Sequence, residues 1–76
     1  MDTVVVDNKN GKKEEMEAVT IFEIPNSEFH YIIYRSMDGN EYYVAKYIGE
    51  SKVNLITDLD ASEMEYAMGI LKGVVE

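Results

Sequence analysis

The sequence predicts an α+β fold, in which an antiparallel meander sheet of about five strands carries one C-terminal helix packed on one face. Period-two alternation of apolar and polar residues, interrupted by turn signals, runs through most of the chain and is typical of strands. Near the C-terminus the apolar residues are instead three and four apart, which is the helical period. The 76 residues predict one domain, 1–76, without cysteine for a disulfide or a thiolate metal site.

The first strand is predicted at Asp2–Val6, because its consecutive valines are β-branched. Asn10-Gly11 follows as a hairpin signal, since glycine and asparagine tolerate the positive φ of a type I′ turn. A two-residue turn at this position pairs Val5 with Met16.

The second strand is predicted at Met16–Ile24, which alternates strictly. One side is flanked by glutamates and the other is uncharged, with Met16, Ala18, Thr20, Phe22 and Ile24. Pro25-Asn26 fits the middle of a type I turn, since proline presets φ at the first central position.

The central hairpin is predicted to join strands Phe29–Arg35 and Tyr42–Ile48 through Met37-Asp38-Gly39-Asn40. Asp-Gly between β-rich runs is a strong hairpin signal, and it predicts a type I′ turn, which needs positive φ at both central residues. A three-residue turn with a glycine bulge would pair Arg35 with Glu41, and the sequence leaves this register open. A two-residue turn would instead pair Tyr34 with Tyr43, Ile32 with Ala45, and His30 with Tyr47.

A last short strand is predicted at Val53–Ile56, followed by the helix. Asp60 and Glu63 have the spacing of a capping box at its N-terminus. Tyr66 and Ile70 lie outside the apolar stripe, and the sequence does not determine which sheet face the helix covers. The stripe comprises Met64, Ala67, Met68, Leu71 and Val75.

The charge excludes several classes of function. Fifteen acidic residues against seven basic ones give a formal net charge of −8, which repels nucleic-acid phosphates and anionic membranes. No apolar run approaches the roughly 18 residues of a membrane span. Met1–Asn10 has neither the basic start nor the apolar run of a signal peptide, so we expect a cytoplasmic protein without nucleic-acid or membrane partners.

Residues with catalytic or metal-binding spacing are not evident. His30 is the single histidine, so no histidine pair can hold zinc. Aligning a calcium loop on Gly11 or Gly39 puts Val6 or Tyr34 at the first ligand position, where an acidic residue is needed. We therefore predict no catalytic residues, no cofactor and no metal.

Tyrosines are concentrated in the central hairpin. They are either half-buried sheet residues or a contact surface, because tyrosine favours strands and is enriched in binding hot spots. One helix is too narrow to cover both faces of this hairpin, which favours the second interpretation. The candidate interaction surface comprises Tyr31, Tyr34, Tyr42, Tyr43 and Tyr47.

A pattern that spans nearly the whole chain resembles a known family. It comprises Val4-Val5-Val6-Asp7 before a glycine turn, Met16–Glu23, Phe29–Tyr34, Glu41–Tyr47, Leu55-Ile56, Asp58-Leu59-Asp60 and the Glu63–Leu71 helix. On these features the chain resembles the YrzB-like family of small acidic bacterial proteins of unknown function, although its centre is less acidic and richer in tyrosine. The resemblance implies a cytoplasmic bacterial protein and no more, because the family carries no assigned catalytic residues that could be transferred.

These observations favour a non-enzymatic protein-interaction module, which uses a Tyr/Ile/Val-rich sheet face or an edge strand. The partner would be another protein or a second copy in a homodimer. One alternative is an acidic regulator or decoy that binds a basic protein surface. Another is a small enzyme without a recognisable motif, which would require a concave site that joins His30 to a carboxylate.

Overall fold

The computed structural model describes residues 3–7, 11–49 and 55–75. They form one antiparallel sheet in the order β1-β2-β3-β4, and a helix on one of its faces. The predicted α+β meander with a C-terminal helix is therefore confirmed, with four strands rather than about five. The elements are β1 (Thr3–Asp7), β2 (Lys13–Glu23), β3 (His30–Arg35), β4 (Tyr42–Tyr47) and α1 (Ala61–Val75).

The predicted fifth strand, Val53–Ile56, falls partly outside the described residues, which resume at Leu55. Ile56 forms an isolated antiparallel bridge with Lys46, through backbone hydrogen bonds of 2.9 and 2.8 Å. Ile56 thus occupies one position on the outer edge of β4.

The predicted register of the first hairpin is wrong by one residue. Met16 pairs with Val4 and not with Val5, because an odd number of residues, 8–12, connects β1 to β2. A shift of one residue exchanges the two faces of a strand. Consequently Val4 is buried, whereas Val5 is 50% exposed.

A β-bulge interrupts the predicted alternation of β2. The pairing with β3 shifts between Ala18 and Thr20, so Val19 is the extra residue. Side chains beyond a bulge change face. Phe22 therefore lies on the opposite face from Met16, contrary to the prediction.

The turn after β2 lies at the predicted residues but has a different type. Ser27 N–H donates to the carbonyl oxygen of Ile24 at 3.1 Å, so Pro25-Asn26 occupies the central positions. The φ of Asn26 is 70°, which is characteristic of a type II turn and not of the predicted type I.

The central hairpin has the register of the two-residue alternative but a longer loop. Gly39 N–H donates to the Ser36 carbonyl at 2.8 Å, and Ser36 N–H donates to the Glu41 carbonyl at 2.9 Å. Gly39 has a φ of 79°, whereas Asp38 is not in the positive-φ region, so the predicted type I′ turn is wrong. The longer loop does not change the register, because it extends the two-residue loop by one residue at each end. The observed pairs are Tyr34 with Tyr43, Ile32 with Ala45, and His30 with Tyr47.

Alternation along β3 and β4 gives the sheet two faces. The helix face lies under α1 and carries Tyr31, Ile33, Val44 and Lys46. The far face carries Ile32, Tyr34, Ala45 and Tyr47.

The far face holds the main hydrophobic cluster, although α1 does not cover it. Val4 and Met16 belong to the same cluster as Tyr47, so the cluster extends from the first strand to the last. A bulge strengthens the twist of a sheet and bends the bulged strand, which brings β1 and β2 round towards β4. Leu55 also packs against the cluster. The expectation that the face without the helix is exposed is therefore wrong for most of its apolar residues.

Ile32 and Ile21 are paired across β2 and β3 but differ in burial, with 0% and 46% exposed. We expect Ile32→Val to lower the free energy of unfolding by about 1 kcal/mol, because it removes a methyl group from a closed core. The matched Ile21→Val change should cost less than about 0.5 kcal/mol. Urea denaturation measures both, and equal losses would contradict the difference in burial between the two positions.

Gly39 and Gly69 should respond oppositely to alanine. Gly39→Ala should destabilise the protein by about 1 kcal/mol, because alanine is strained at a φ of 79°. Gly69 lies in α1 with no neighbour within 4 Å of an added Cβ, so Gly69→Ala should stabilise it by up to about 1 kcal/mol. Thermal unfolding followed by circular dichroism tests both signs.

Candidate functional site

The structure divides the five candidate tyrosines between core and surface. Tyr31, Tyr34 and Tyr47 are 1%, 4% and 5% exposed, so the predicted interaction surface is wrong for these three residues. Tyr42 is half-buried and Tyr43 is 37% exposed. The two tyrosines that remain accessible are neighbours on β4.

A polar cluster joins the start of α1 to the helix face. Tyr31 Oη donates to Glu63 Oε2 at 2.5 Å, and Lys46 Nζ donates to both carboxylate oxygens at 2.9 and 3.0 Å. The side chains of Glu63 and Lys46 are only 11% and 14% exposed. One carboxylate therefore connects the helix to both β3 and β4.

The capping box predicted at the start of the helix is present in this cluster. Glu63 N–H donates to Asp60 Oδ1 at 2.8 Å, and Asp60 N–H donates to Glu63 Oε1 at 2.9 Å. The sequence did not predict that the same carboxylate also binds the sheet. Its one available signal was Lys46, a cation in the otherwise uncharged strand Tyr42–Ile48.

Mutual stabilisation fixes the charges of the cluster. The hydrogen bond from Tyr31 is the main cause that lowers the pKa of Glu63 from its ordinary 4.5 to about 2, and the Asp60 amide and Lys46 act in the same direction. The same carboxylate raises the pKa of Lys46. Burial, and then donation to Glu63, raises the pKa of Tyr31. The cluster is consequently a permanent ion pair near neutral pH, which suits anchoring rather than proton transfer.

Anchoring at Glu63 sets the rotation of α1, and the observed rotation differs from the predicted one. Ala67 is buried, but Met64 and Met68 are 38% and 54% exposed, so the predicted stripe is wrong for these two. Tyr66 stacks on Phe22 of β2, with ring centroids 5.9 Å apart. At about 100° per residue, Met64 and Met68 project from the opposite flank of the helix, towards β4. Sheet-facing positions are Glu63, Ala67, Ile70 and Leu71.

The outer edge of β4 presents peptide groups to solvent. Lys46 uses its backbone N–H and C=O to bind Ile56, on the side away from β3. Successive residues of a strand point these groups to opposite sides, so Tyr42 and Val44 point theirs outwards as well. The described residues supply no partner for the outward groups of Tyr42 and Val44. We refer to these peptide groups, together with the side chains of Met64 and Met68, as the β4-edge surface.

A second candidate site is a cleft lined by the loop of residues 24–29 and by Tyr66 of the helix. His30 Nδ1 is 3.0 Å from Glu23 Oε1, and both line a cleft of about 420 Å³ that also includes Ser27. Ser27 Oγ bonds to Tyr31 Oη at 3.0 Å and accepts from Phe29 N–H at 3.2 Å. The cleft thus has the concave His30–carboxylate arrangement that the enzyme alternative requires, but within the described residues the hydrogen bonds of Ser27 go to Tyr31 and Phe29 and not to His30.

Neither a metal-binding cluster nor a membrane-spanning helix is found in the described residues. Among the described residues, no group of three or more His, Asp or Glu side chains is arranged to hold a metal ion. No helix within the described ranges is long and apolar enough to cross a membrane.

The Glu63 cluster predicts how stability depends on pH. Because its folded pKa is depressed to about 2, Glu63 contributes stability above about pH 4.5, and the contribution is lost as pH falls towards 2. Glu63→Gln should lower stability at pH 7 by about 1 kcal/mol and flatten this acid limb. Thermal melts between pH 2 and 7 measure both effects. Glu65→Gln, at an exposed position of the same helix, is the control and should leave the profile nearly unchanged.

Comparison with known proteins gives no relative. No family model matches the chain, and neither a curated protein nor a solved structure matches it. The resemblance to the YrzB-like family stays a prediction from sequence pattern. The function is therefore inferred from the residues themselves.

Proposed function

We propose that the chain is a non-enzymatic protein-interaction module that binds an extended segment at the β4-edge surface. The proposal is carried by the outward direction of the peptide groups of Tyr42 and Val44, together with the exposure of Met64 and Met68 on the flank of α1 that the helical period turns towards β4. Strand addition combines main-chain hydrogen bonds with side-chain contacts. Methionine adapts to irregular apolar surfaces, which suits the second requirement.

The other edge of the sheet, β1, supports binding less well. Its valines favour strand pairing, and Val5 is 50% exposed. However, the helix leans on β2, β3 and β4, so no described apolar element stands beside β1 to add side-chain contacts. The β4 edge offers both kinds of interaction.

The remaining properties of the proposal come from charge and composition. A net charge of −8 opposes nucleic-acid and anionic membrane partners. The absence of cysteine and the resemblance to the YrzB-like family support a place in the bacterial cytoplasm. Within the described residues the hydrogen bonds of Ser27 go to Tyr31 and Phe29 rather than to His30, which supports a role without catalysis.

Proline at position 44 tests the proposal directly. Of the backbone hydrogen-bonding groups, Val44→Pro removes only the outward N–H of residue 44. It should therefore leave the β3–β4 ladder intact and abolish partner binding. Val44→Ala is the matched control, because it truncates the same side chain but keeps the N–H. Affinity capture with wild type and both variants, followed by quantitative mass spectrometry, should show a partner that Val44→Ala retains and Val44→Pro loses.

The same experiment separates the alternatives. Capture that survives Val44→Pro but disappears in moderate salt would instead support an acidic regulator of a basic protein. Capture that neither variant changes, or that is absent from all three proteins, contradicts binding through the β4 edge. Circular dichroism spectra of the variants verify that the fold is retained.

A further inference from the structure

We infer, on the basis of the proposed function, that the segment bound at the β4-edge surface has an apolar–basic–apolar pattern, with its Lys or Arg side chain against the ring of Tyr43 and the carboxylate of Glu41. The chemistry of this partner follows from three features of the edge. They are the length of strand that is open, the faces to which paired side chains point, and the negative charge around Tyr43.

The open part of the β4 edge accommodates three residues of a partner strand. Its outward peptide groups are those of Tyr42, Val44 and Lys46, and those of Lys46 already bind Ile56. In an antiparallel pair, one partner residue exchanges both hydrogen bonds with Val44, and the residue two positions later exchanges both with Tyr42. Three residues therefore satisfy the free groups without reaching the position that Ile56 occupies. The segment enters the edge at Val44 and leaves it beyond Tyr42.

The bridge to Ile56 also selects the antiparallel direction. In parallel pairing, each outward residue bonds to two partner residues, which precede and follow the one opposite it. The groups of Tyr42 and Val44 would then need five partner residues, and the last would lie level with Ala45, directly beside Ile56. An antiparallel segment avoids this crowding.

The first and third residues of the segment point to the helix face. Side chains of directly opposite residues share a face of the sheet, and these two residues lie opposite Val44 and Tyr42. Met64 and Met68 are 38% and 54% exposed on the flank of α1 that the helical period turns towards β4. Contact with methionine favours apolar side chains at both positions.

The middle residue of the segment points to the far face, opposite Tyr43. Such a pair has no hydrogen bonds between its members, so its side chains lie close together. Tyr43 is 37% exposed, and one side of its ring stacks on Tyr34 of β3, with ring centroids 5.6 Å apart. The other side of the ring is consequently turned towards the open edge. An aromatic face in this position attracts the cation of a Lys or Arg side chain.

Negative charge around Tyr43 strengthens the preference for a cation. Tyr43 Oη donates to the carboxylate of Glu41, which lies two residues earlier on the same face. This hydrogen bond raises the pKa of Tyr43, and the charge of Glu14 acts in the same direction. The net charge of −8 adds attraction at longer range. A basic middle residue therefore complements both the ring and the charges beside it.

Selection from a phage-displayed library of random heptapeptides tests the pattern. Wild type should enrich peptides in which Lys or Arg stands between two apolar residues. Val44→Pro should enrich none of them, because it lacks the outward N–H, whereas Val44→Ala should enrich the same pattern. A wild-type selection without this pattern overturns the inference.

Charge reversal at position 41 tests where the basic side chain binds. Glu41→Lys should select Asp or Glu at the middle position instead of Lys or Arg. Glu65→Lys changes the net charge by the same amount at an exposed position of α1, so it should keep the wild-type preference. An unchanged preference in Glu41→Lys, or the same change in both variants, contradicts the contact with Glu41. Circular dichroism verifies that both variants are folded.

Three blocked peptides measure the size of the preference. They have the sequence Ser-Thr-Val-Xaa-Val-Thr-Ser, with Lys, Gln or Glu at Xaa. In titrations followed by NMR, we expect the Lys peptide to bind wild type about fivefold more tightly than the Gln peptide, and the Glu peptide to bind more weakly still. The differences should shrink in about 0.5 M salt, because exposed charges are then screened.

Failure of this inference is distinguishable from failure of the proposed function. Suppose that the three peptides bind equally, or do not bind, while affinity capture is lost in Val44→Pro and kept in Val44→Ala. The charge pattern is then refuted, but the interaction module is retained. Capture that Val44→Pro does not change, together with equal or absent peptide binding, refutes both.

Discussion

The Glu63 carboxylate is the constraint on which the arrangement of helix and sheet depends. It accepts hydrogen bonds from Tyr31 on β3, Lys46 on β4 and the Asp60 amide, so three segments distant in sequence meet at one group. A charge this poorly hydrated is tolerated only when its oxygens are satisfied. Those same bonds hold the first turn of α1 against the sheet in one orientation. The rotation of the remaining helix follows, because a helix is rigid over so few turns.

This rotation creates the surface proposed for binding. Had Met64 and Met68 faced the sheet, the helix would have buried its most apolar stripe and offered nothing to a partner. Glu63 takes the sheet-facing position instead, and Ala67 follows it one turn later. By the helical period the methionines then project towards β4, where the outward groups of Tyr42 and Val44 lack a partner among the described residues. A small domain without disulfides has limited hydrophobic burial of its own, so association would also add stability.

The far face shows how a sheet can build a core without a helix. The bulge at Val19 bends β2, and a single cluster then extends from Val4 to Tyr47. Tyrosines that look like a contact surface in the sequence become core residues, because their rings are enclosed by the curl of the sheet. Among the tyrosines of this face Tyr43 is the exception, with 37% of its surface exposed.

The sequence by itself determined the elements and the capping box and limited the central hairpin to two registers, since all three depend on residues close together in the chain. Alternation, Gly39 and the Asp60–Glu63 spacing are local signals of this kind. Only the tertiary structure decided the register of the first hairpin, the bulge at Val19 and the rotation of α1. The physical reason is that each depends on contacts between distant segments: the loop that joins β1 to β2, the curl of the sheet, and the bonds of Glu63 to Tyr31 and Lys46. The candidate site combines the rotation of α1, which the bonds of Glu63 set, with the outward peptide groups of Tyr42 and Val44, which have no partner among the described residues. No local pattern could therefore have located it.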